Sequence, residues 1–207
     1  MDLNELKELG LFLHFSGEGV DHSFLTEQEA ELISNRHASY QQNFIRGRIC
    51  AKRALESMGF RMDDLELLRL PDGQVSWPEG VVGSISHTDG FAGAIVGWKS
   101  DFQSVGLDIE KKNRVHPSIW DRVFTENEKE ILLQYSKELH AEKATEIFSM
   151  KEAFYKFQWP LTNRFLGMRD VEWDELSGRI RPILHSFFEH DCKFLMNDEH
   201  IISIIYL

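Results

Sequence analysis

The sequence is poor in cysteine and has no long hydrophobic run. Two of its 207 residues are cysteines, Cys50 and Cys192, and neither lies in a CxxC pair or near histidines at the spacing of metal ligands. We therefore expect neither a thiolate metal site nor a disulfide. The most apolar stretch, residues 201–207, is far too short to cross a bilayer, and we interpret it as a core strand.

Positive charge is also scarce. The chain has 23 lysines and arginines against 34 aspartates and glutamates, which gives a formal net charge of -11. This balance disfavours a general nucleic-acid binder, because such proteins usually carry a basic surface. The first seven residues lack a basic segment followed by an apolar one. We therefore expect no signal peptide, no membrane insertion and a cytoplasmic protein.

Two segments of the chain resemble each other. In the first, Thr26 precedes Glu29 by three residues, and in the second Thr125 precedes Glu128 by the same interval. This spacing, before a run of helix-forming residues, is typical of a capping box at the start of a helix. Acidic residues crowd both first turns, where the helix dipole favours them.

Each copy continues with a helix-like segment and two strand-like segments. These are residues 44–55, 81–87 and 91–98 after the first copy, and residues 147–156, 193–196 and 201–207 after the second. Similarity at so long a period predicts a duplication. We expect an α+β fold of two α/β halves, residues 1–101 and 102–207, with pseudo-twofold symmetry and the active site in the cleft between them.

Residues 105–110 form the first segment that is suited to chemistry. On a strand, alternate residues share a face, so Asp108 and Glu110 point the same way. Two carboxylates on one face repel each other unless a cation lies between them, and Mg²⁺ takes oxygen ligands. The alternative is a strand end whose acidic side chains face solvent.

The second segment, residues 148–156, has helical character and places Glu152 and Lys156 on one face at i and i+4. Such a pair is ordinarily a surface ion pair. Here the phenylalanines at 148, 154 and 157 make the helix apolar enough to be half buried. A half-buried glutamate requires a cation, and a half-buried lysine requires an anion.

The third segment, residues 80–90, is a strand of small residues that ends in Ser86 and His87. A ligand can approach the backbone of such a strand closely, although a lone histidine at a strand end is more often structural. In chain order, Gly-Ser-Ile-Ser-His, Gly-Leu-Asp-Ile-Glu and Phe-Ser-Met-Lys-Glu-Ala-Phe-Tyr-Lys resemble the three signature motifs of the 4'-phosphopantetheinyl transferase superfamily. The spacing is similar to that of its two-half members, which serve siderophore and other secondary-metabolite synthetases.

The resemblance implies an enzyme that moves 4'-phosphopantetheine from coenzyme A to a serine of an apo acyl or peptidyl carrier protein and releases 3',5'-ADP. It implies a Mg²⁺ ion on Asp108, Glu110 and Glu152, although these residues do not distinguish Mg²⁺ from Mn²⁺. Positioned cations stabilise the charge that builds on phosphoryl oxygens. The residues implied to contact coenzyme A are Arg48, Arg69, Ser86, His87, Lys151 and Lys156.

The base that deprotonates the serine stays open at this point. Glu152, acting directly or through a metal-bound water, and Lys156, with a pKa lowered by burial, are the candidates. The duplication aligns His14 and Ser16 with the two acids of residues 105–110, so we expect the metal in the second half and the nucleotide mainly in the first. We also expect a monomer, because two halves complete the active site within one chain.

Two rival interpretations belong to other functional classes. A metal-dependent nuclease would use Glu110-Lys111-Lys112 with Asp101 or Asp108 upstream, but it leaves His87 unexplained. A catalytically inactive adaptor would bind coenzyme A or a carrier protein, but the complete set of acidic and basic motif residues argues against it.

A basic cluster follows the metal motif. It consists of Lys111, Lys112, Arg114 and Arg122, and its apolar neighbours are Ile119, Trp120, Val123 and Phe124. We expect this cluster to seat an acidic carrier protein, because the enzyme's own net charge gives no overall attraction. The alternative is a solvated basic loop beside a small core segment.

Overall fold

The computed structural model describes residues 3–17, 19, 21–183 and 189–207. The chain divides into two compact units, unit 1 from Met1 to Val105 and unit 2 from Gly106 to Leu207. Each unit combines helices with a three-stranded sheet, which confirms the predicted α+β class. No helix in the described part of the chain is long and apolar enough to cross a membrane.

Unit 1 is a long helix packed on a sheet. Its described helices and strands are α1 (Leu3–Glu8), β1 (Leu11–Ser16), α2 (Glu27–Glu31), α3 (Ala38–Ser57), β2 (Val81–Thr88) and β3 (Phe91–Trp98). The sheet order is β1-β3-β2, and β3 runs antiparallel to both neighbours. Leu55 of α3 and Ala94 of β3 are fully buried in the core between helix and sheet.

Unit 2 has the same plan with additions. Its described helices and strands are β4 (Val105–Lys111), α4 (Trp120–Val123), α5 (Glu126–Gln134), α6 (His140–Thr162), β5 (Val171–Asp174), β6 (Arg179–Pro182), β7 (Asp191–Met196) and β8 (His200–Tyr206). The main sheet has the order β4-β8-β7, and β5 pairs with β6. Phe154 of α6 packs with Ile205 of β8 in the core.

The two sheets share a topology that supports the predicted duplication. In each unit the first strand lies at an edge, a long helix follows, and the last strand of the unit lies in the middle of the sheet. Thus β1, α3, β2 and β3 correspond to β4, α6, β7 and β8. In chain order, the β5–β6 pair comes after the long helix and before the last two strands of unit 2.

Both predicted capping boxes are present. Thr26 Oγ1 accepts a hydrogen bond from the Glu29 amide at 3.2 Å, and Glu29 Oε2 accepts one from the Thr26 amide at 2.9 Å. Thr125 and Glu128 exchange the same two bonds at 3.2 and 2.9 Å. Each box satisfies two amides at the start of a helix, which otherwise have no intrahelical partner.

Each capping glutamate also pairs with a lysine of the long helix that follows. Glu29 Oε2 lies 2.7 Å from Lys52 Nζ, and both side chains are at most 3% exposed. Glu128 forms the same ion pair with Lys151, where both side chains are fully buried. A buried charge is tolerated only when it is paired and hydrogen-bonded, so these pairs tie the capping helix to the long helix in each unit.

Candidate active site

The site of unit 2 depends on a close approach between β4 and α6. A Cβ atom at Gly106 would lie 2.1 Å from the Ala153 carbonyl oxygen and 2.8 Å from Phe157 Cβ, so only glycine fits there. This contact brings Lys156 of α6 against the strand. Its Nζ donates to the Leu107 carbonyl at 3.0 Å and to Asp108 Oδ1 at 2.8 Å.

Asp108 and Glu110 lie two residues apart on β4, and each is 4% exposed. Both carboxylates therefore need partners inside the unit. Asp108 pairs with Lys156, and Glu110 Oε2 accepts a hydrogen bond from the half-exposed guanidinium of Arg114. Lys156 and Arg114 are thus counter-ions of the strand acids.

The third acid, Glu152, belongs to the same electrostatic group. Burial raises the pKa of Glu152 above its usual range, and the negative charge of Asp108 raises it further. Burial also raises the pKa of Glu110 to about 7, with Asp108 adding to the shift and Arg114 opposing it. Asp108 therefore repels both glutamates, and a cation placed among the three would relieve that repulsion.

The donor set suits a hard divalent ion. Three carboxylates on a strand and a helix offer the oxygen ligands that Mg²⁺ prefers. Within the described ranges, no three acidic, histidine or cysteine side chains lie close enough together to hold a metal ion as they are placed. By their chemistry the three residues fit Mg²⁺.

The strand geometry gives no support to the nuclease interpretation. β4 ends at Lys111, and the Lys112 amide donates to the Glu199 carbonyl at 2.9 Å. The lysine of the proposed triplet therefore lies beyond the strand. Glu110 instead takes Arg114 as its partner.

Lys151 has a different environment from the other predicted coenzyme A contacts. Its ammonium donates to Glu128, to the Val123 carbonyl at 3.1 Å and to the Met168 carbonyl at 2.9 Å. An ammonium group has three protons, so these three acceptors use all of them. The side chain is also fully buried. The structure therefore gives Lys151 a structural role and leaves it no proton for an incoming phosphate.

In unit 1, two arginines that were predicted to contact coenzyme A lie against one aromatic ring. The Arg48 Cζ atom lies 4.3 Å from the centroid of the Phe44 ring, and the Arg69 Cζ atom lies 5.9 Å from it. Arg48 is 3% exposed, and its Nε and Nη2 atoms have no hydrogen-bond partner within the described ranges. Burial, together with the charge of Arg69, lowers the pKa of Arg48 to about 10 despite the opposing effect of Glu29. An anion would satisfy these donors.

Ser86 and His87 lie near the end of β2, where they pair with Gly93 and Ala92 of β3. Neighbouring residues on a strand point to opposite faces. Ser86 is accordingly 4% exposed, whereas His87 is exposed. His87 shares its face with Ile85, which packs on α3, but at this end of the strand its imidazole is exposed, so a ligand there meets His87 and not the Ser86 hydroxyl.

The structure thus gathers Asp108, Glu110, Glu152 and Lys156 in unit 2, and it brings Arg48 and Arg69 together in unit 1. Two partners were not predicted from the sequence, Phe44 as the ring beside Arg48 and Arg114 as the counter-ion of Glu110. Each lies four residues from a predicted site residue. On a helix that spacing puts Phe44 beside Arg48 and is a usable signal.

The apolar neighbours of the basic cluster lie mainly in the core. Trp120 is 6% exposed, Val123 is 7% exposed and Phe124 is fully buried. They pack with Leu132 and other residues of α5 and α6. They are therefore not available as a contact surface, whereas Lys111 is exposed.

Comparison with known proteins decides the family. The profile of the 4'-phosphopantetheinyl transferase N-terminal domain matches residues 28–97, and that of the 4'-phosphopantetheinyl transferase superfamily matches residues 104–205. The chain belongs to the 4'-phosphopantetheinyl transferase superfamily. The predicted family is therefore confirmed, and both units are matched.

Relatives within this superfamily are moderately similar. The 4'-phosphopantetheinyl transferase Npt of Nocardia iowensis is 35% identical over 143 residues, which cover 69% of this chain and 63% of that protein. The 4'-phosphopantetheinyl transferase PptT of Mycobacterium tuberculosis is 34% identical over 145 residues, 70% of this chain and 62% of that protein. The matches thus span less than two thirds of each relative's length. A crystal structure of holo-[acyl-carrier-protein] synthase from Thermotoga maritima aligns with 49% of this chain and 61% of its own, with a TM-score of 0.41 and 25% identity.

Proposed function

We propose that this protein transfers the 4'-phosphopantetheine group of coenzyme A to a serine of an apo acyl or peptidyl carrier protein, with 3',5'-ADP as the second product. The observation that carries the proposal is the group of three acids and one lysine around β4 and α6. Asp108 and Glu110 are buried, Lys156 donates a hydrogen bond to Asp108, and the negative charge of Asp108 raises the pKa of Glu152. Membership of the superfamily supports the same activity.

Asp108, Glu110 and Glu152 would hold the divalent cation, which we assign as Mg²⁺. When bound, this ion would supply positive charge to the pyrophosphate oxygens of coenzyme A. Lys156 would add a second positive charge beside them. Its ammonium is held by the Leu107 carbonyl and Asp108, so it is oriented before substrate arrives.

We assign Glu152 as the base. The serine oxygen attacks the β-phosphorus, the bond from that phosphorus to the oxygen of the 3',5'-ADP leaving group breaks, and the serine proton passes to the Glu152 carboxylate. Burial and Asp108 raise the pKa of Glu152, which makes it a better proton acceptor than an exposed glutamate. Lys156 is less suited to this role because it already acts as a donor to Asp108.

We assign the nucleotide of coenzyme A to residues of unit 1. Arg48 and Arg69 would bind a phosphate group, because their guanidinium groups share the Phe44 ring and the buried Arg48 nitrogens need an anionic acceptor. His87, exposed near the end of β2, would meet the 3'-phosphate. Ser86 would contribute through its backbone, since its side chain is buried.

The acceptor would be an acidic carrier protein of a siderophore or other secondary-metabolite synthetase, bound by a monomeric enzyme. Lys111 and Lys112, which follow Glu110 directly, are the residues that we assign to its docking. Lys111 is exposed and Lys112 is partly exposed, so their charges would act mainly by steering the carrier at low salt.

The test is the mass of the carrier protein. Incubation with coenzyme A, Mg²⁺ and an apo carrier should add one phosphopantetheine group, and chelation of the metal should prevent the gain. Glu152→Gln should slow the transfer on the order of 10²-fold or more, because it removes a metal charge and the base. Glu146→Gln is the matched control on the same helix, since Glu146 pairs with Lys143.

Three outcomes separate the candidate functions. A mass gain that depends on Glu152 supports the transferase. Tight coenzyme A binding without any mass gain on several carriers contradicts it and favours the adaptor. Near-normal turnover of Glu152→Gln at saturating Mg²⁺ would show that the reacting groups lie elsewhere.

A further inference from the structure

The two lysines of the capping ion pairs have different surroundings. In unit 2, Lys151 Nζ donates to Glu128 and to two carbonyls, those of Val123 and Met168. In unit 1, Lys52 Nζ donates to Glu29 Oε2 at 2.7 Å and to the Phe24 carbonyl at 2.9 Å. These two are the acceptors of Lys52 in the part of the chain that the structure describes, so one of its three protons is left over.

The duplication indicates which carbonyl corresponds to the third acceptor that Lys52 lacks in the described residues. The Leu67 amide donates to Glu29 in unit 1, and the Trp173 amide donates to Glu128 in unit 2, both at 2.8 Å. Five residues before each of these amides lie Met62 and Met168. Met62 is therefore the counterpart of the residue whose carbonyl completes Lys151.

The Met62 carbonyl has a different partner. It accepts a hydrogen bond from the Leu65 amide at 3.1 Å, because Met62–Asp64 forms a short 3₁₀ helix. In the described residues, the Met62 carbonyl therefore bonds within its own turn and is not an acceptor of Lys52. In unit 2, by contrast, Gly167 and Met168 lie against Lys151 and leave a cavity of only about 20 Å³.

A much larger cavity adjoins Lys52. Its volume is about 420 Å³, and Lys52 lines it together with apolar residues such as Phe24, Met62 and Leu65. Its polar lining includes Ser23 and Asp63. The volume lies in the range of small-molecule sites, which is roughly 300–1,000 Å³. Unit 1 thus has a cavity of ligand size at the lysine whose third proton has no acceptor among the described residues.

We propose that the cavity beside Lys52 binds a small uncharged molecule with an amide group, whose carbonyl oxygen accepts the third Lys52 proton as the Met168 carbonyl accepts that of Lys151. Such an acceptor completes the hydrogen bonds of a buried ammonium, which is 3% exposed. The apolar lining binds hydrocarbon next to the amide.

The ligand is uncharged for an electrostatic reason. Glu29 already neutralises Lys52 at 2.7 Å, and Asp63 adds a negative charge to the cavity. An anion would be repelled by Asp63 and would gain little from the paired lysine. An amide avoids this penalty, and its N–H can donate to the Asp63 carboxylate.

The probe is N-acetyl-leucine methylamide, which has two amides, one branched apolar side chain and no charge. Its binding to the full chain is followed by methyl NMR of the methionines. The Met62 methyl signal, inside the cavity, should shift saturably, whereas that of Met196, half exposed in unit 2, should not move. The anion N-acetyl-leucinate should bind at least about tenfold more weakly, because the carboxylates repel it.

A cavity-filling variant avoids disturbing the Lys52–Glu29 pair. Ser23 is exposed and lines the cavity, so Ser23→Trp should abolish the Met62 shift. Ser34→Trp is the matched control, because Ser34 is equally exposed and does not line the cavity. The proposal is overturned if the neutral probe gives no saturable shift, if the anion binds equally well, or if a folded Ser23→Trp protein still binds the probe.

Discussion

Replacing Lys151 by methionine distinguishes a structural lysine from a phosphate ligand. The substitution keeps the length and the apolar stem of the side chain and removes its ammonium. Glu128, fully buried, then loses its cationic partner, and the carbonyls of Val123 and Met168 lose a donor. The substitution destabilises the folded state, because no solvent reaches this pair to compensate the charge of Glu128.

The expected loss of stability is large. Removing one partner of a buried ion pair costs roughly 3–5 kcal/mol. At roughly 2–4 °C of Tm for each kcal/mol in a chain of this length, the protein should unfold about 6–20 °C lower than the parent. Adding Glu128→Gln should recover part of this loss, because a neutral amide is cheaper to bury than an unpaired carboxylate.

The matched control is Lys156→Met on the same helix. Lys156 has a side chain that is 29% exposed, so its removal should cost less stability than that of Lys151, although it takes a cation from the buried Asp108, and it should also cost much of the transfer rate. Thermal unfolding and the KM for coenzyme A are measured for both variants, and the kinetics are measured at a temperature well below the lower of the two Tm values. A Lys151→Met protein with an unchanged Tm and a strongly raised KM would refute the structural role and restore the phosphate contact.

The remaining predictions concern the substrates and the pH. His87→Ala should reduce the preference for coenzyme A over its 3'-dephospho form roughly tenfold or more in kcat/KM, and an equal ratio in parent and variant would remove His87 from the phosphate site. Arg48→Leu should raise the Tm of the ligand-free protein while raising the KM for coenzyme A, because it removes a buried, incompletely bonded charge; a lowered Tm contradicts this. The raised pKa of Glu110 makes the folded metal-free protein bind a proton more tightly than the unfolded chain, so this stabilisation is lost as the pH rises from about 4.3 to about 7, and Glu110→Gln should flatten the Tm profile there. Mg²⁺ affinity, measured by calorimetry, should increase over the same range. Reversal of Lys111 and Lys112 to glutamate should raise the KM for the carrier but not for coenzyme A, and the effect should shrink with salt.

The sequence predicts most of the fold because its local signals agree. The two capping boxes begin α2 and α5 as expected, and the predicted strand at residues 91–98 matches β3. The predicted helices lie inside α3 and α6, which extend beyond them. The β5–β6 pair was not predicted, since its two four-residue strands are too short for a clear alternating pattern.

The site was harder to predict than the fold. Strand alternation correctly groups Asp108 with Glu110, but it cannot show that Arg114 turns back to bind one of them. In the same way, the motif places Lys151 next to Glu152 in the chain. Successive helix residues face different directions, so one side chain enters the core and the other remains half exposed. Only the packing of residues 123–128 and 168 around Lys151 shows that all three protons of this lysine already have acceptors.

The duplication explains why the motif at residues 148–156 contains one structural lysine, Lys151, and one lysine of the acidic group, Lys156. Lys151 has a counterpart in Lys52, with the same ion pair to a capping glutamate, so its chemistry is shared by both units. An interaction present in both copies belongs to the scaffold, because only one copy carries the acidic group. The edge strands differ instead: the duplication aligns His14 of β1 with Asp108 of β4, and burial lowers the pKa of His14, which favours a neutral imidazole. For the transfer reaction, the edge strand and not the ion pair is therefore where the two units differ.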